Sequence, residues 1–544
     1  MDQSWDYSRW EPSDAGFWPW EKPRKREVER LRDQLIAVTK KIKELPYIPV
    51  YWLLRSSILL NLGFPELVAA DAFKCMRLCS AGQDYESSLG EKPDAAYMIC
   101  EKSKKIFQAY MGKQLFTVLE NAIHVLCTAL HRLKSLPDLV SMCDYAIKLF
   151  PHHPVFYLHA EVAHQACVTI HSQIRDRTSW DNQKQILLYG SVKHPIYPWM
   201  NDKYRTRGAD VIAAANSELR ALGAPLKIRP SAIRGAGEGN TYGMFATKSI
   251  NRGAAFLKTS HPFSVSLEQD TRCYNCYSTF TAAAATKHFP CCPKIKYCST
   301  GCFNHAEKYY HRVICGKDFS DLVERAQFAY GGKKEGWQYG RNNDTTHLSK
   351  TTGFRDKPNN GYPTPRIPFQ YPEQAAVMLL RFLAICLQAG GHPLAHPVVA
   401  QLLPSSNTKI APIWNMNGMV VGPIDAMTNL GVDVFANEDY DCWVIQTMWH
   451  RIKNNIKAEN DKAAMVLSPL YCWFNHSCAP KCIPLSKNQA METFHAVREI
   501  KKGEEISTSY LGPDFLRQPK ALRHQVLSGW FGGGCSCERC SAEH

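Results

Sequence analysis

The stretch Phe474-Asn475-His476-Ser477-Cys478-Ala479-Pro480 sets several polar groups in an apolar frame. Downstream comes Gly503-Glu504-Glu505-Ile506-Ser507-Thr508-Ser509-Tyr510, which reads as a turn followed by a strand ending in tyrosine. Beyond it, Cys535-x-Cys537-x2-Cys540 offers three thiols at metal spacing, one short of a tetrahedron. Cys478 can supply the fourth. That closure would tie the Asn-His loop to the C-terminal segment and wall one pocket. Asn475-x-Ser477 also matches a glycosylation acceptor, a reading that needs a secreted chain.

A second cysteine series lies upstream. Cys273-x2-Cys276 opens it, Cys291-Cys292 and Cys298-x3-Cys302 follow, and His311-x3-Cys315 closes it. Pairs two or three residues apart on tight turns suit tetrahedral zinc, because each pair grips one edge of the tetrahedron. About eight ligands are at hand, enough for two structural sites. The segment is too short for its own apolar core, so metal would substitute for one. Single cysteines in apolar helical sequence, such as Cys75, Cys127 and Cys386, read instead as small buried hydrophobes.

Outward from these motifs the chain reads as α+β. Residues 1–26, with Trp5, Trp10, Trp18 and Trp20 among Pro and Asp, lack any period and are expected to be a flexible tail. Residues 27–220 are expected to be helical. Val28, Leu31, Leu35, Val38 and Ile42 fall on one helical face, and Tyr51 to Ala70 and Asp144 to Pro151 approximate helix pairs of a tetratricopeptide-like repeat. Short strands begin near Leu226-Lys227-Ile228, flank an Asn251-Arg252-Gly253 turn, and return from about 466 to Tyr510. The resulting division is 226–270, the cysteine finger 271–315, an insertion and helical linker 316–440, a second β part 441–512, and a cysteine-bound end 513–544. Residues 331–368 read as a flexible insertion and Ala375–Leu387 as an apolar helix.

Composition bounds the function. The 544 residues carry a formal charge of +15, which raises the expectation of work near nucleic acid or chromatin. Lys22-Pro23-Arg24-Lys25-Arg26 could be a nuclear address or a solvated helix start. No run of about 18 apolar residues exists, so no membrane partner is expected. Met1-Asp2-Gln3-Ser4-Trp5 carries no secretion core, so the clustered cysteines read as metal ligands rather than disulfides.

The motifs at 474–480, 503–510 and 535–540, in this order, resemble a SET domain with its post-SET segment, and Gly243-Met244-Phe245-Ala246-Thr247 matches the opening strand. The upstream series, with Lys296-Tyr297-Cys298-Ser299, resembles a MYND zinc finger. With the finger inserted between SET halves, residues from about 226 to 544 resemble the SMYD family of protein lysine methyltransferases. The helical N-terminal region is similar to the branch with tetratricopeptide repeats ahead of SET. The resemblance implies interleaved zinc sites. Cys273, Cys276, Cys298 and Cys302 would hold one zinc, and His311 and Cys315 would share another with Cys291 and Cys292. The family spaces that middle pair two apart. Adjacent side chains rarely face one metal without strain, so His288 is an alternative to one of them. With Cys478, Cys535, Cys537 and Cys540 the expected count is about three zincs.

The resemblance also implies S-adenosylmethionine as cofactor, held by Tyr242, Gly243, Met244, Asn455 (or Asn454), Asn475 and His476. Tyr510 would be the catalytic tyrosine. Where the family has Gly-x-Gly, this chain has Thr241-Tyr242-Gly243, so only the second glycine remains. Expected partners are a protein substrate with a target lysine, a proline-rich peptide at the finger, and chromatin; the expected location is nucleus and cytoplasm. Two other readings compete: a non-catalytic adaptor using finger and repeats, and a nucleic-acid binder, whose basic helix after the ligands is missing here.

Overall fold

The structure, a computed structural model, describes residues 5, 21–84, 112–173, 190–192, 197–205, 207–232, 241–260, 263–266, 271–280, 286–319, 322, 372–402, 413–458, 464–488, 491–527 and 534–543. The flexible insertion expected over 331–368 lies outside them, as does most of the tail expected over 1–26. Trp5 is described, and its ring packs on Trp199 at 5.5 Å.

Six helices come first: α1 Lys25–Glu44, α2 Pro49–Leu62, α3 Pro65–Asp84, α4 Gly112–Leu133, α5 Leu136–Leu149 and α6 Pro154–Gln173. α1 buries Val28, Leu31, Leu35, Val38 and Ile42, the stripe a 3.6-residue period selects. Pro49 starts α2, where its missing N–H costs nothing, and Gly63 ends it at φ 82°, a left-handed position open to glycine. Each helix packs on the next, with residues 85–111 between α3 and α4 outside the described ones; α2 also touches α4, and α4 touches α6. Cys75, Cys79, Cys127 and Cys143 are fully buried among them.

Helix α7 (Ala209–Ala221) follows, with one short strand before it and the others after it. In chain order these are β1 Gly190–Ser191, β2 Leu226–Pro230, β3 Tyr242–Ala246, β4 Ala255–Ser260, β5 Phe263–Ser266, β6 Lys287–Phe289, β7 Cys292–Tyr297, β8 Ile413–Trp414, β9 Lys457–Ala458, β10 Ala464–Leu467, β11 Asn475–His476, β12 Cys482–Asn488, β13 Met491–Ala496 and β14 Glu505–Thr508. They form small sheets ordered β11-β14-β3-β2, β12-β13-β4 and β5-β10-β9, with the pairs β6-β7 and β1-β8. β11 runs parallel to β14, opposing Asn475 to Ser507 and His476 to Thr508. A parallel pair needs a long crossover. Here the chain spends it on the β12-β13 hairpin before returning as β14.

One apolar core runs from the helical array through the finger, helix α9 (Pro372–Ala389, after finger helix α8, Thr300–Tyr309) and helix α10 (Cys442–Asn455), and on to Leu467. A second core joins α7 to the sheets through Leu219, Ile228, Met244, Phe494 and Ile506. Buried charges lock the array to α10. Arg55 on α2 forks onto Asp71 at 2.6 and 2.7 Å and onto Asp441 at 3.0 Å twice, while Lys74 lies 3.7 Å from Asp441. Asp441 also caps α10 by accepting from Cys442 N–H at 2.8 Å. Asp138 adds a second tie, accepting from Ser135 and from Met416 N–H at 2.7 and 2.9 Å. Among the described residues no helix is long and apolar enough to cross a membrane.

Candidate active site and metal-binding clusters

Strand β3 and the parallel pair β11-β14 bring the Asn-His loop, the opening strand and the terminal tyrosine into one corner. The Asn475 amide donates to the Tyr242 carbonyl at 3.2 Å, to the Glu505 carboxylate at 2.6 Å and to Ser231 Oγ at 3.3 Å. Gly243 sits beneath these groups. A Cβ there would collide with the Glu505 carboxylate and lie 3.0 Å from Asn475 Nδ2, so a larger residue would have to displace that carboxylate. Met244 is fully buried in the second core, between Ile228 of β2 and Ile506 of β14.

His476 is buried and links two neighbours. Its Nδ1 accepts from Tyr510 N–H at 3.0 Å, and its Nε2 lies 3.3 Å from Cys478 Sγ. Burial, helped by the Arg523 cation, lowers its pKa to about 4, so the ring is neutral at pH 7. With Nδ1 accepting, the proton belongs on Nε2, facing the sulfur. Tyr510 is half-buried, and its hydroxyl donates to the Phe474 carbonyl at 2.8 Å. Burial pushes the phenol well above its ordinary value and the nearby Cys472 adds to this, against the opposing pull of Arg207. Asn455 ends α10 on a different element, and its amide donates to the Arg451 carbonyl at 2.7 Å within that helix.

Three four-residue groups could hold metal, each with ligand atoms within 4.8 Å of one another: Cys273, Cys276, Cys298 and Cys302; Cys291, Cys292, His311 and Cys315; Cys478, Cys535, Cys537 and Cys540. Complete sets of four thiolate or imidazole donors suit tetrahedral zinc and leave no open position. Local structure explains the spacing. Tyr277, at φ 50°, turns the chain just after Cys276. Ser299 caps α8 by accepting from Cys302 N–H at 3.1 Å, fixing Cys302 in the first turn.

Cys291 and Cys292, the expected pair, both stand in the second group, and the alternative His288 does not. Cys291 occupies the tight β6-β7 turn and Cys292 opens β7, with the register shifted between Lys287 and Phe289. The bend, not a regular strand, sets both sulfurs on one side. Phe289 stacks on the His311 ring at 3.6 Å, so the ligand face is Phe289's, and strand alternation turns the exposed His288 away.

The third group shares a residue with the Asn-His loop. Cys478 Sγ lies 3.5 Å from Cys540 Sγ, and Cys478 N–H donates to Cys537 Sγ at 3.3 Å. Thus the C-terminal segment closes over the corner holding His476 and Tyr510. A cavity of about 580 Å³ lined by Lys43, Asp433, Glu438 and Asp439 among others holds none of the residues above.

Residues 241–511 match the family model of the SET domain. The chain carries a SET domain. Its most similar relatives include a SET and MYND domain-containing protein of Dictyostelium discoideum, 38% identical over 88 residues, which are 16% of this chain and 20% of that protein. A histone-lysine N-methyltransferase of Schizosaccharomyces pombe is 35% identical over 92 residues, 16% of this chain and 27% of its own. Another, of Eremothecium gossypii, is 31% identical over 108 residues, 20% of each. The chain therefore spans about a fifth to a quarter of the length of these relatives. The SET match covers β3, the finger, α10, the Asn-His loop and Tyr510, and stops short of the last three cysteines. Sequence reading missed Ser231 and Glu505 in this corner. The period of β14 puts Ile506 inward and Glu505 on the other face, but no sequence signal names Gly243 as what that face meets.

Proposed function

We propose that the protein transfers a methyl group from S-adenosylmethionine to a lysine of a protein substrate. The observation that carries this reading is the meeting of Asn475, His476 and Tyr510 beside Gly243 within a SET domain. Bound S-adenosylmethionine supplies a methyl group activated by a sulfonium. The chain's own residues must then hold the cofactor and orient a neutral lysine amine. Gly243 allows close backbone approach, Tyr242 offers backbone groups with Met244 packed behind it in the core, Asn475 offers its amide, and Asn455 is the further candidate from α10. The Tyr510 O–H is given to Phe474, so its oxygen lone pairs can accept from the amine N–H and aim the nitrogen lone pair. Burial keeps that phenol protonated at neutral pH. The same low-dielectric surroundings disfavour an ammonium and help the substrate lose its proton.

The three cysteine-rich groups are assigned to structural zinc. The finger at 271–315 is read as MYND, with a proline-rich peptide as its ligand, and the array as tetratricopeptide-like. The names of the fungal relatives make histone tails the first substrates to try. Chromatin association, and work in both nucleus and cytoplasm, follow from the same reading. Transfer of labelled methyl from S-adenosylmethionine to arrayed proteins tests the proposal. Label on lysine is expected. No label, together with no cofactor binding by calorimetry, overturns it in favour of an adaptor.

A further inference from the structure

Glu505 places a carboxylate at the centre of the cofactor corner. It stands opposite Phe245 in the β3-β14 pairing, while its neighbour Ile506 enters the second core. The half-buried carboxylate rests in the gap that glycine leaves at 243. Its partners are neutral: Ser231 Oγ at 2.9 and 2.8 Å from the two oxygens, and the Asn475 amide at 2.6 Å. The nearby cations are engaged elsewhere. Lys481 Nζ bonds the Glu505 backbone carbonyl at 2.8 Å and the Glu504 carboxylate at 2.9 Å. Arg229 lies over the Phe245 ring and donates to the Gly503 carbonyl at 3.1 Å. Among the described residues no cation meets the Glu505 carboxylate.

An ionised carboxylate has about four acceptor sites. Among the described residues one hydroxyl and one amide donor occupy roughly half of them. A partly desolvated anion without a counter-charge is costly, and a cation with N–H donors removes that cost. The cofactor has two cationic centres. Its sulfonium has no N–H, whereas its α-ammonium has three. The Asn475 amide, donating to Glu505 and to the Tyr242 carbonyl, keeps its Oδ1 as a further acceptor.

We propose that Glu505, oriented by Ser231, accepts the α-ammonium of the cofactor's amino-acid moiety. This rests on the methyltransferase reading above. Glu505 thereby selects ligands that carry the amino-acid end over bare adenosine thioethers, and Ser231 acts as its positioning residue.

Calorimetry on the full chain, with two probes, tests this. S-adenosylhomocysteine carries the ammonium; 5′-methylthioadenosine shares the adenosine thioether and lacks the amino-acid end. Glu505→Gln is expected to weaken S-adenosylhomocysteine binding by about 10–100-fold, the scale of a charge-assisted hydrogen bond, and to change methylthioadenosine binding by less than about 3-fold. Ser231→Ala should weaken S-adenosylhomocysteine alone, by about 3–10-fold. Equal weakening of both probes, or loss of both from misfolding, would mark Glu505 as a structural brace and overturn the proposal. So would unchanged S-adenosylhomocysteine binding. A wild-type chain that binds neither probe would instead bring down the methyltransferase reading, and this proposal with it.

Discussion

Replacing Asp441 by Asn should destabilise the whole molecule although Asp441 touches no site residue. Asn keeps the helix-capping oxygen and removes the charge. Arg55, Asp71 and Lys74 have side chains only 3, 1 and 2% exposed, so the change leaves cations in a medium that solvates them poorly. Arg55 retains Asp71, but Lys74 loses its 3.7 Å partner, and the amide turns a donor toward the Arg55 donors. Removing one partner of a buried pair costs about 3–5 kcal/mol. At roughly 2–4 °C per kcal/mol for a cooperative unit of ~150–250 residues, Tm should fall by about 6–20 °C. Thermal unfolding followed by tryptophan fluorescence suits the seam, because Trp52 lies under both Arg55 and Lys74. Adding Arg55→Leu leaves Asp71 and Lys74 to balance each other. The double variant should therefore be less destabilised than the sum of its parts by about 1 kcal/mol or more. A single variant within about 2 °C of wild type, or strictly additive effects, would refute the claim that this network locks the array to α10.

Metal analysis should return about three zincs per chain, and Cys537→Ser should remove one of them and weaken S-adenosylhomocysteine binding while leaving the finger intact. Cys291→Ser and Cys292→Ser should each cost one finger zinc, whereas His288→Ala should cost none. A stability dependence on pH is expected at Glu504. Burial alone would raise this carboxyl, but Arg498, the Lys501 N–H and Lys481 together lower it to about 2. Its folded pKa lies below the ordinary value of about 4.3, so its contribution is present above pH ~4.3 and is lost as pH falls toward 2. The Tm gap between wild type and Glu504→Gln should then shrink between pH 5 and 3; a constant gap would count against this pairing.

Much of this organisation was legible in the sequence because short-range rules govern it. The α1 stripe follows from helical periodicity, the Gly63 stop from the left-handed region, and the strands at 226, 242 and 255 from alternation near turns. Ligand spacing announced the cysteine groups, and Cys478 was legible as the missing fourth of the last. Long-range geometry was not legible. How the adjacent Cys291 and Cys292 reach one group was not legible, because the bend depends on a shifted hairpin register, which no local rule specifies. Arg55 and Asp441 stand far apart in sequence, and nothing in either segment names the other. Glu505 was hidden for the same reason: its partners Ser231, Gly243 and Asn475 come from three separate strands or turns.

The most direct test of the methyltransferase reading is the rate of lysine methylation by Tyr510→Phe. The substitution keeps the ring packed against His476 and removes only the hydroxyl that bonds the Phe474 carbonyl. S-adenosylhomocysteine affinity should survive. Turnover on a substrate methylated by the wild-type chain should fall by about 10²-fold or more, the scale of a positioned catalytic group. A Tyr510→Phe protein that methylates lysine at the wild-type rate would contradict the role given to that hydroxyl.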